Sequence, residues 1–244
     1  MSTYAGPADW WTDGTNDGRT HVATKGIVQS GLVLNLDAGV SNSYPGTGTT
    51  WADLSGNGFN STLVNGVGYN TTNGGRLVFD GVDDTVTGVH SASLDLTGSV
   101  TCEAWFRLTN TRTDWVRVLG KGDSTNRTYG LWYNQSTSAF LYQRYGSSNI
   151  GIGYSATVEL NTWYHLVGTS SGTSHVMYLN GVIRGSTTSG STFFSSTNPY
   201  TIAKADTMHT FHVGEIAVAR IYNRGLSLAE VLQNFNATRS RYGI

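Results

Sequence analysis

The acidic side chains are the first place to look for catalysis, because hydrolysis of a glycosidic bond takes two carboxylates about 5–10 Å apart. The chain has four glutamates, Glu103, Glu159, Glu215 and Glu230. None of them belongs to an E-x-D-x-E pattern, and the spacing from Ser227 to Glu230 is that of a helix capping box. We therefore predict no catalytic residues and expect the protein not to be an enzyme. Glycan hydrolysis stays open as an alternative, ranked behind the two binding functions given below.

Aromatic side chains in the middle of the chain suggest a second chemistry. Binding pockets combine apolar or aromatic walls with a few polar groups, and Trp115, Trp132, Tyr142 and Arg144 supply both kinds of group. Side chains alternate between the two faces of a strand, so Tyr142 and Arg144 share one face. The alternative is packing in the core or across strands. The sequence thus predicts a candidate sugar-binding face and leaves ordinary packing open.

The first 30 residues differ from the rest of the chain. Tyr4, Trp10 and Trp11 stand among Gly, Asp and Thr without a regular apolar period. Large aromatic side chains in a loose segment favour burial against a surface, although a frayed terminus is the simpler alternative. We predict that residues 1–30 form an extended N-terminal arm and that its aromatic side chains dock on a partner protein.

From residue 31 onward, short strand-like runs alternate with turn signals. Residues 100–107 alternate with period two, and Asn180-Gly181 lies between two apolar runs as in a two-residue hairpin. One helix is predicted over about residues 228–235. Many short strands separated by Gly-rich turns are typical of a sandwich or jelly roll. The predicted fold is all-β, an antiparallel β-sandwich with jelly-roll topology over residues 31–244, one short C-terminal helix and the extended N-terminal arm.

Composition and charge exclude several classes of protein. The formal net charge is −1 in 244 residues and no Lys/Arg run occurs, so nucleic acid is not expected as a partner. No apolar run approaches the roughly 18 residues of a membrane span. Cys102 is the only cysteine, which excludes an internal disulfide. The N-terminus lacks the basic-then-apolar pattern of a signal peptide, so we expect synthesis in a cytoplasm without one.

Several short blocks of sequence resemble a laminin-G-like (concanavalin A-like lectin/glucanase) jelly roll. They are LDAG at residues 36–39, WADLSGNG at 51–58, FDGVDD at 79–84, CEAWF at 102–106, WYHLVGT at 163–169, YLNG at 178–181 and IYNRGLS at 221–227. The blocks follow the family's order, and the resemblance covers nearly all of residues 31–244. It is specific for the fold and implies little about function.

A narrower resemblance suggests where the protein works. Three strings are similar to laminin-G-like domains of tailed-bacteriophage virion proteins. They are SYPGTGTTWADLSGNG at residues 43–58, LSLAEVLQNFNATRSRYGI at 226–244 and YAGP at 4–7. This resemblance implies a structural protein on the virion surface, a capsid decoration or tail-fibre component, made in the host cytoplasm. Its partners would be other virion proteins, bound through the arm. A lectin module for a host-surface glycan is the alternative, and a homo-oligomer stays open.

The family resemblance also implies calcium, bound through Asp side chains and backbone carbonyls at the rim of the sandwich. Hard oxygen ligands in a Gly-rich loop suit this ion. Asp53 and Asn57, in the string DLSGNG at residues 53–58, are the predicted metal ligands. The alternative is that Asp53 only closes the loop through an Asx turn. A second candidate is the cluster of Asp80, Asp83 and Asp84.

Overall fold

The computed structural model describes residues 26–204 and 210–244. The strands of this described part are β1 (Leu32–Asp37), β2 (Thr50–Trp51), β3 (Ser61–Val64), β4 (Gly68–Asn70), β5 (Arg76–Asp80), β6 (Thr85–Thr87), β7 (Val100–Leu108), β8 (Val116–Lys121), β9 (Tyr129–Asn134), β10 (Ala139–Arg144), β11 (Ile150–Ser155), β12 (Trp163–Ser171), β13 (Ser174–Leu179), β14 (Val182–Thr188), β15 (Tyr200–Ile202) and β16 (Val213–Tyr222). Its helices are α1 (Leu228–Thr238) and the short 3-10 helices Thr72–Gly74, Ala92–Leu94 and Arg239–Tyr242. No helix in this part of the chain is long and apolar enough to cross a membrane.

The strands form two antiparallel sheets that pack face to face. Sheet I has the order β14-β13-β12-β7-β16-β5-β4, and β1 pairs with the second half of β16. Sheet II has the order β11-β10-β9-β8-β15-β6-β3-β2. Strands distant in sequence lie side by side, as β7 does between β12 and β16. The predicted all-β jelly-roll sandwich with a short C-terminal helix is therefore confirmed.

Period two decides which side chains of β7 enter the core. Val100, Cys102, Ala104 and Phe106 are fully buried between the two sheets. Trp105 points away from that core and packs in a second cluster, beneath α1, on the outer face of sheet I. The alternation predicted for this strand is confirmed, and both of its faces are buried because α1 covers the outer one.

The predicted turn between β13 and β14 has the expected backbone. Asn180 has a φ of 53° and Gly181 a φ of 75°. A two-residue type I′ hairpin needs positive φ at both central positions, which Asn and Gly tolerate best. This turn sets the register of the outermost pair of strands in sheet I.

Helix α1 begins where the capping box predicts and ends three residues later than predicted. The Ser227 side chain accepts from the Glu230 backbone N–H, and the Glu230 carboxylate accepts from the backbone N–H of Ser227. The additional turn is held by a polar side chain: Thr238 is buried, and its hydroxyl accepts a hydrogen bond of 2.9 Å from the Trp105 indole. A count of apolar residues cannot detect that contact.

The structure describes only residues 26–30 of the predicted arm, and these residues lie against α1. The backbone N–H of Val28 donates to Asn234 Oδ1 at 2.8 Å, and Gln233 Nε2 donates to the Gly26 carbonyl at 2.7 Å. Residues 26–30 are thereby attached to the sandwich. The aromatic side chains predicted to dock on a partner, Tyr4, Trp10 and Trp11, lie outside the described residues.

Candidate functional site

A small pocket lies on the outer face of sheet II, the face turned away from sheet I. It has a volume of about 110 Å³ and is lined by Trp115, Arg127, Trp132, Leu141 and Gln143. Leu141 of β10 pairs directly with Trp132 of β9, and Gln143 is the next residue of β10 on that face. Trp115 immediately precedes β8. The pocket therefore depends on the antiparallel pairing of three consecutive strands.

Glycine shapes the base of this pocket. Gly130 of β9 stands opposite Gln143, and a Cβ built on Gly130 would lie 2.7 Å from the Trp132 indole nitrogen. The missing side chain lets the indole lie close to the strand. Guanidinium groups cover the ring, with Arg117 at 4.9 Å and Arg127 at 4.7 Å from its centroid. Trp132 is only 1% exposed as a result, so it supports the pocket from below.

A polar side of the pocket is built around Arg127. Its Nη1 donates to Gln143 Oε1 at 3.0 Å and to the Tyr145 hydroxyl at 2.9 Å. The guanidinium also lies 5.1 Å from the Tyr145 ring centroid, so it is held between two aromatic rings. These contacts hold a carboxamide, a phenol and a guanidinium in fixed positions near the pocket. Groups of this kind can donate hydrogen bonds to, and accept them from, the hydroxyls of a ligand.

Trp115 is the accessible aromatic wall of the pocket. Its side chain is half-buried, unlike that of Trp132. An accessible indole can stack on the apolar face of a ligand ring, while fixed polar groups beside it form hydrogen bonds with the edge of that ligand ring. Two of the four predicted ligand-binding residues, Trp115 and Trp132, are thus brought together in the structure.

The other two predicted ligand-binding residues lie in the core. Tyr142 and Arg144 are fully buried on the inner face of sheet II. The Tyr142 hydroxyl is 2.7 Å from Ser170 Oγ, and the Arg144 guanidinium lies 3.7 Å from the Phe193 ring centroid. They cannot form a sugar-binding face, so this part of the prediction is wrong. The pair does share one face, but that face is the inner one.

The pocket residues that sequence reasoning missed follow from the same alternation. Leu141 and Gln143 alternate with Tyr142 along β10, so they lie on the opposite, outward face. Period two therefore could have identified them once the inner face was known. Arg127 lies shortly before β9 in a stretch without a regular period, and the sequence carries no comparable signal for it.

Glu103 lies beneath α1, where no substrate reaches it. Its carboxylate is fully buried, accepts from Arg220 Nη1 and Asn234 Nδ2 at 2.6 Å each, and is 3.2 Å from His165 Nε2. Burial alone raises the pKa of this carboxyl. The charge of Arg220 and the hydrogen bonds from His165 and Asn234 outweigh burial and lower the pKa to about 2. Glu103 is thus a buried structural group that is ionised at neutral pH.

A buried serine–histidine pair occurs in β12 and β13. Ser170 belongs to a Gly-x-Ser-x-Gly string at residues 168–172, and its hydroxyl is 2.8 Å from His175 Nδ1. Both side chains are almost fully buried, and Ser170 also bonds to the Tyr142 hydroxyl. Nucleophilic serines of this motif occupy an exposed strand-to-helix turn. The pair is therefore a hydrogen bond buried inside the sandwich and does not have the exposed geometry of a hydrolase site.

The predicted calcium ligands Asp53 and Asn57 belong to a loop closed by hydrogen bonds. Asp53 Oδ1 accepts from the backbone N–H groups of Asn35 and Ser55 at 2.9 Å each. Asp53 Oδ2 accepts from the Ser55 hydroxyl at 2.7 Å and from the Phe59 N–H at 3.1 Å. A carboxylate offers about four acceptor positions, and the protein fills them here. This is the hydrogen-bonding geometry expected if Asp53 closes the loop and does not bind calcium.

The fold places this protein among lectin-type β-sandwiches. The family model of the concanavalin A-like lectin/glucanases superfamily matches residues 79–232, and the chain belongs to this superfamily. No curated protein shows significant similarity to the sequence.

Solved structures share the fold at low sequence identity. The binding domain of Paraclostridial Mosquitocidal Protein 1 superposes with a TM-score of 0.68 at 17% identity, over 86% of this chain and 52% of that one. The botulinum neurotoxin type G receptor binding domain gives 0.63 at 16%, over 85% and 51%. Trypanosoma rangeli sialidase in complex with the inhibitor DANA gives 0.62 at 19%, over 86% and 33%. The chain thus spans about half of each toxin domain and a third of the sialidase chain.

Proposed function

We propose that the protein is a non-enzymatic carbohydrate-binding module whose ligand occupies the pocket on sheet II. The observation that carries the proposal is the half-buried Trp115 beside the fixed polar groups of Arg127 and Gln143. Superposition on toxin binding domains supports a binding role for the fold. The burial of Glu103 and of the Ser170–His175 pair supports the absence of hydrolysis.

The size of the pocket limits the ligand. A volume of about 110 Å³ is well below the roughly 300–1,000 Å³ of pockets for drug-sized molecules. It suits one sugar residue or one of its substituents, with the rest of a glycan lying over the surface of sheet II. We expect weak binding of a single residue and tighter binding when a repeated surface glycan engages several copies, because linked sites raise the effective concentration.

Truncating the accessible indole should remove binding without unfolding the protein. We expect Trp115→Ala to raise the Kd for a glycan identified on an array at least tenfold, the equivalent of about 1.4 kcal/mol. The matched control is Tyr69→Ala, which truncates another half-buried aromatic side chain on sheet I. Calorimetric titration measures both variants. Equal weakening by the two variants, or turnover of the glycan by the wild type, would contradict the proposal.

The location on a tailed-bacteriophage virion is the second part of the proposal. It is supported by the resemblance of residues 43–58 and 226–244 to phage virion proteins. The arm would bind a capsid or tail protein, and sheet II would face outward.

Deleting residues 1–25 tests the role of the arm. The sandwich should fold normally, because Val28 and Gly26 keep their bonds to α1. We expect the truncated protein to be absent from purified particles, as judged by mass spectrometry, while full-length protein is incorporated. Equal incorporation of the two forms would exclude attachment through the arm.

A further inference from the structure

Gln143 shows which hydrogen-bonding groups the pocket on sheet II presents to a ligand. Its Oε1 accepts from Arg127 Nη1 at 3.0 Å. A guanidinium only donates hydrogen bonds, so the carbonyl oxygen of the amide must face Arg127 and the N–H₂ group must point the other way. No acceptor within the described part of the chain bonds to this N–H₂ group. Gln143 therefore offers two N–H donors at the wall of the pocket.

The side chains that line the pocket offer few acceptors. Arginine and tryptophan side chains donate hydrogen bonds and accept none. Of the five described residues that line the pocket, only Gln143 has a side-chain acceptor, and Arg127 already occupies one of its lone pairs. Asp114 is not one of the five, and its Oδ1 accepts from the backbone N–H of Trp115 at 2.6 Å. The pocket thus favours a ligand group that accepts hydrogen bonds.

An apolar wall lies beside these donors. Leu141 and Gln143 are two positions apart on the outer face of β10, so their Cα atoms are separated by about 7 Å. Leu141 stands opposite Trp132, its partner on β9, and Trp115 completes the apolar side of the pocket. A ligand group that fits both walls therefore has an apolar end and an acceptor oxygen a short distance from it.

We propose that the pocket recognises the acetamido group of an N-acetylated amino sugar, an inference that rests on the carbohydrate-binding function proposed above. The carbonyl oxygen of the group would accept from Gln143 Nε2, and its methyl group would pack on Leu141 and on the Trp115 indole. A carbonyl oxygen carries no donor that could be left unpaired in the pocket. A trans amide directs its N–H away from its carbonyl oxygen, so that donor would stay at the mouth of the pocket, in contact with water.

Hydroxyl and carboxylate groups fit these walls less well. A buried hydroxyl also donates, and among the lining side chains only the second lone pair of Gln143 Oε1 could accept from it. A carboxylate only accepts, but its charge would lie against the apolar wall formed by Leu141 and Trp115, where a charge is costly. Neither group has a methyl to cover that wall. The acetamido group matches the donors and the apolar wall together.

The neighbouring strand leaves room for the rest of the sugar. Gly153 and Gly151 of β11 pair with Leu141 and Gln143, and both glycines are exposed. Neither has a positive φ, and a Cβ built on them would meet its nearest neighbours, Leu141 Cδ1 and the Phe140 carbonyl oxygen, at 3.7 and 3.9 Å. Backbone conformation and crowding therefore do not require glycine at these positions. Glycine inside a strand can mark a surface that a ligand approaches closely, and here it leaves a flat surface beside the pocket for the sugar ring.

Matched pairs of monosaccharides test the proposal on the full-length protein. N-acetylglucosamine, N-acetylgalactosamine and N-acetylmannosamine are each titrated beside the parent glucose, galactose or mannose, and glucuronic acid is the carboxylate probe. The NMR chemical shift of the Trp115 indole N–H reports binding at the pocket. We expect at least one acetamido sugar to bind about tenfold more tightly than its parent, because it adds a hydrogen bond and a buried methyl group.

The Gln143→Glu variant changes the hydrogen-bonding character of the same wall. Glutamate has nearly the shape of glutamine, keeps an acceptor oxygen for Arg127 and loses the N–H₂ donors. We expect about tenfold weaker binding of the acetamido sugar and a reversed preference, because a carboxylate accepts well from the hydroxyls of the parent sugar. The matched control is Gln135→Glu. Gln135 is half-buried outside the pocket, and its Oε1 accepts from the Arg112 backbone N–H at 2.9 Å, so this variant should keep the wild-type preference.

The outcomes separate this inference from the function on which it rests. The acetamido inference is wrong if a parent sugar or glucuronic acid shifts the Trp115 signal at concentrations as low as the acetamido sugars do, or if Gln143→Glu keeps the wild-type preference. Carbohydrate binding at the pocket would stand in either case. If no sugar of the panel shifts the Trp115 signal, the inference and the proposed function both fail.

Discussion

Replacing Glu103 with glutamine should lower the free energy of unfolding by about 3–5 kcal/mol, the cost of breaking a buried ion pair from one side. The side chain is fully buried, and its carboxylate is the charge partner of Arg220 at 2.6 Å. Glutamine keeps the size of the side chain but leaves a buried guanidinium without a full countercharge. Its single amide N–H₂ would also face a donor, which is the Asn234 amide if it takes the place of Oε2 or the Arg220 guanidinium if it takes the place of Oε1.

Thermal and denaturant unfolding measure this effect. The loss corresponds to a fall in Tm of roughly 6–20 °C for a chain of this size. The matched control is Glu159→Gln, because Glu159 is exposed; that variant should stay within about 0.5 kcal/mol of the wild type. Glycan binding by the folded fraction should not change. A Glu103→Gln protein as stable as the wild type would show that the Arg220 charge is compensated elsewhere.

The pH dependence follows from the same group. The pKa of Glu103 is lowered from 4.5 to about 2 in the folded protein, so the folded state holds this proton less tightly than the unfolded chain does. Its contribution to stability is therefore complete above about pH 4.5 and is lost as the pH falls towards 2. Glu103→Gln should show a shallower loss of stability between these pH values than the wild type.

Replacing Arg144 with methionine should lower the free energy of unfolding by about 2–4 kcal/mol. Its guanidinium donates to three backbone carbonyls, those of Thr128 at 2.9 Å, Gly98 at 2.7 Å and Leu96 at 2.6 Å. Each buried acceptor left without a donor costs about 1–3 kcal/mol. Removal of a buried charge offsets part of this loss, because burial already disfavours the ionised guanidinium and lowers the pKa of Arg144.

The control for Arg144 is another arginine that stacks on a ring. Arg184 lies 4.8 Å from the Tyr154 ring centroid, but its side chain is exposed, so Arg184→Met should change stability by less than about 0.5 kcal/mol. Denaturant unfolding distinguishes the two variants. An Arg144→Met protein as stable as Arg184→Met would show that the three carbonyls do not depend on the guanidinium for their hydrogen bonds.

Local patterns in the sequence were enough to predict most elements of the sandwich. Residues 100–107 alternate because a strand turns successive side chains to opposite faces. Asn180-Gly181 makes a tight turn because both residues tolerate positive φ. The capping box of Ser227 and Glu230 marks the start of α1. Each of these signals depends on residues close in sequence, so it can be read without knowledge of the fold.

The candidate site was predicted only in part, because it depends on contacts between residues that are distant in sequence. Alternation showed that Tyr142 and Arg144 share a face, but nothing local states which face of β10 is covered by sheet I. Arginine on an inner face is unexpected unless distant carbonyls surround it, and those of Gly98 and Leu96 are supplied by the chain before β7. The pocket residues Leu141 and Gln143 were missed because the wrong face was taken as the outer one.

The sequence alone therefore determined the all-β class, the main turns, the cap of α1 and the candidate aromatic residues, because short-range sterics and side-chain periodicity act within a few residues. The tertiary structure alone decided which faces are buried, that α1 covers Glu103, and that Trp115, Arg127 and Gln143 meet in one pocket. It also buried Asp84 Oδ1 in the loop between β5 and β6, where this oxygen has no hydrogen-bond partner among the described residues. Those outcomes depend on which strands become neighbours, and that choice is made by packing two sheets and a helix around one core.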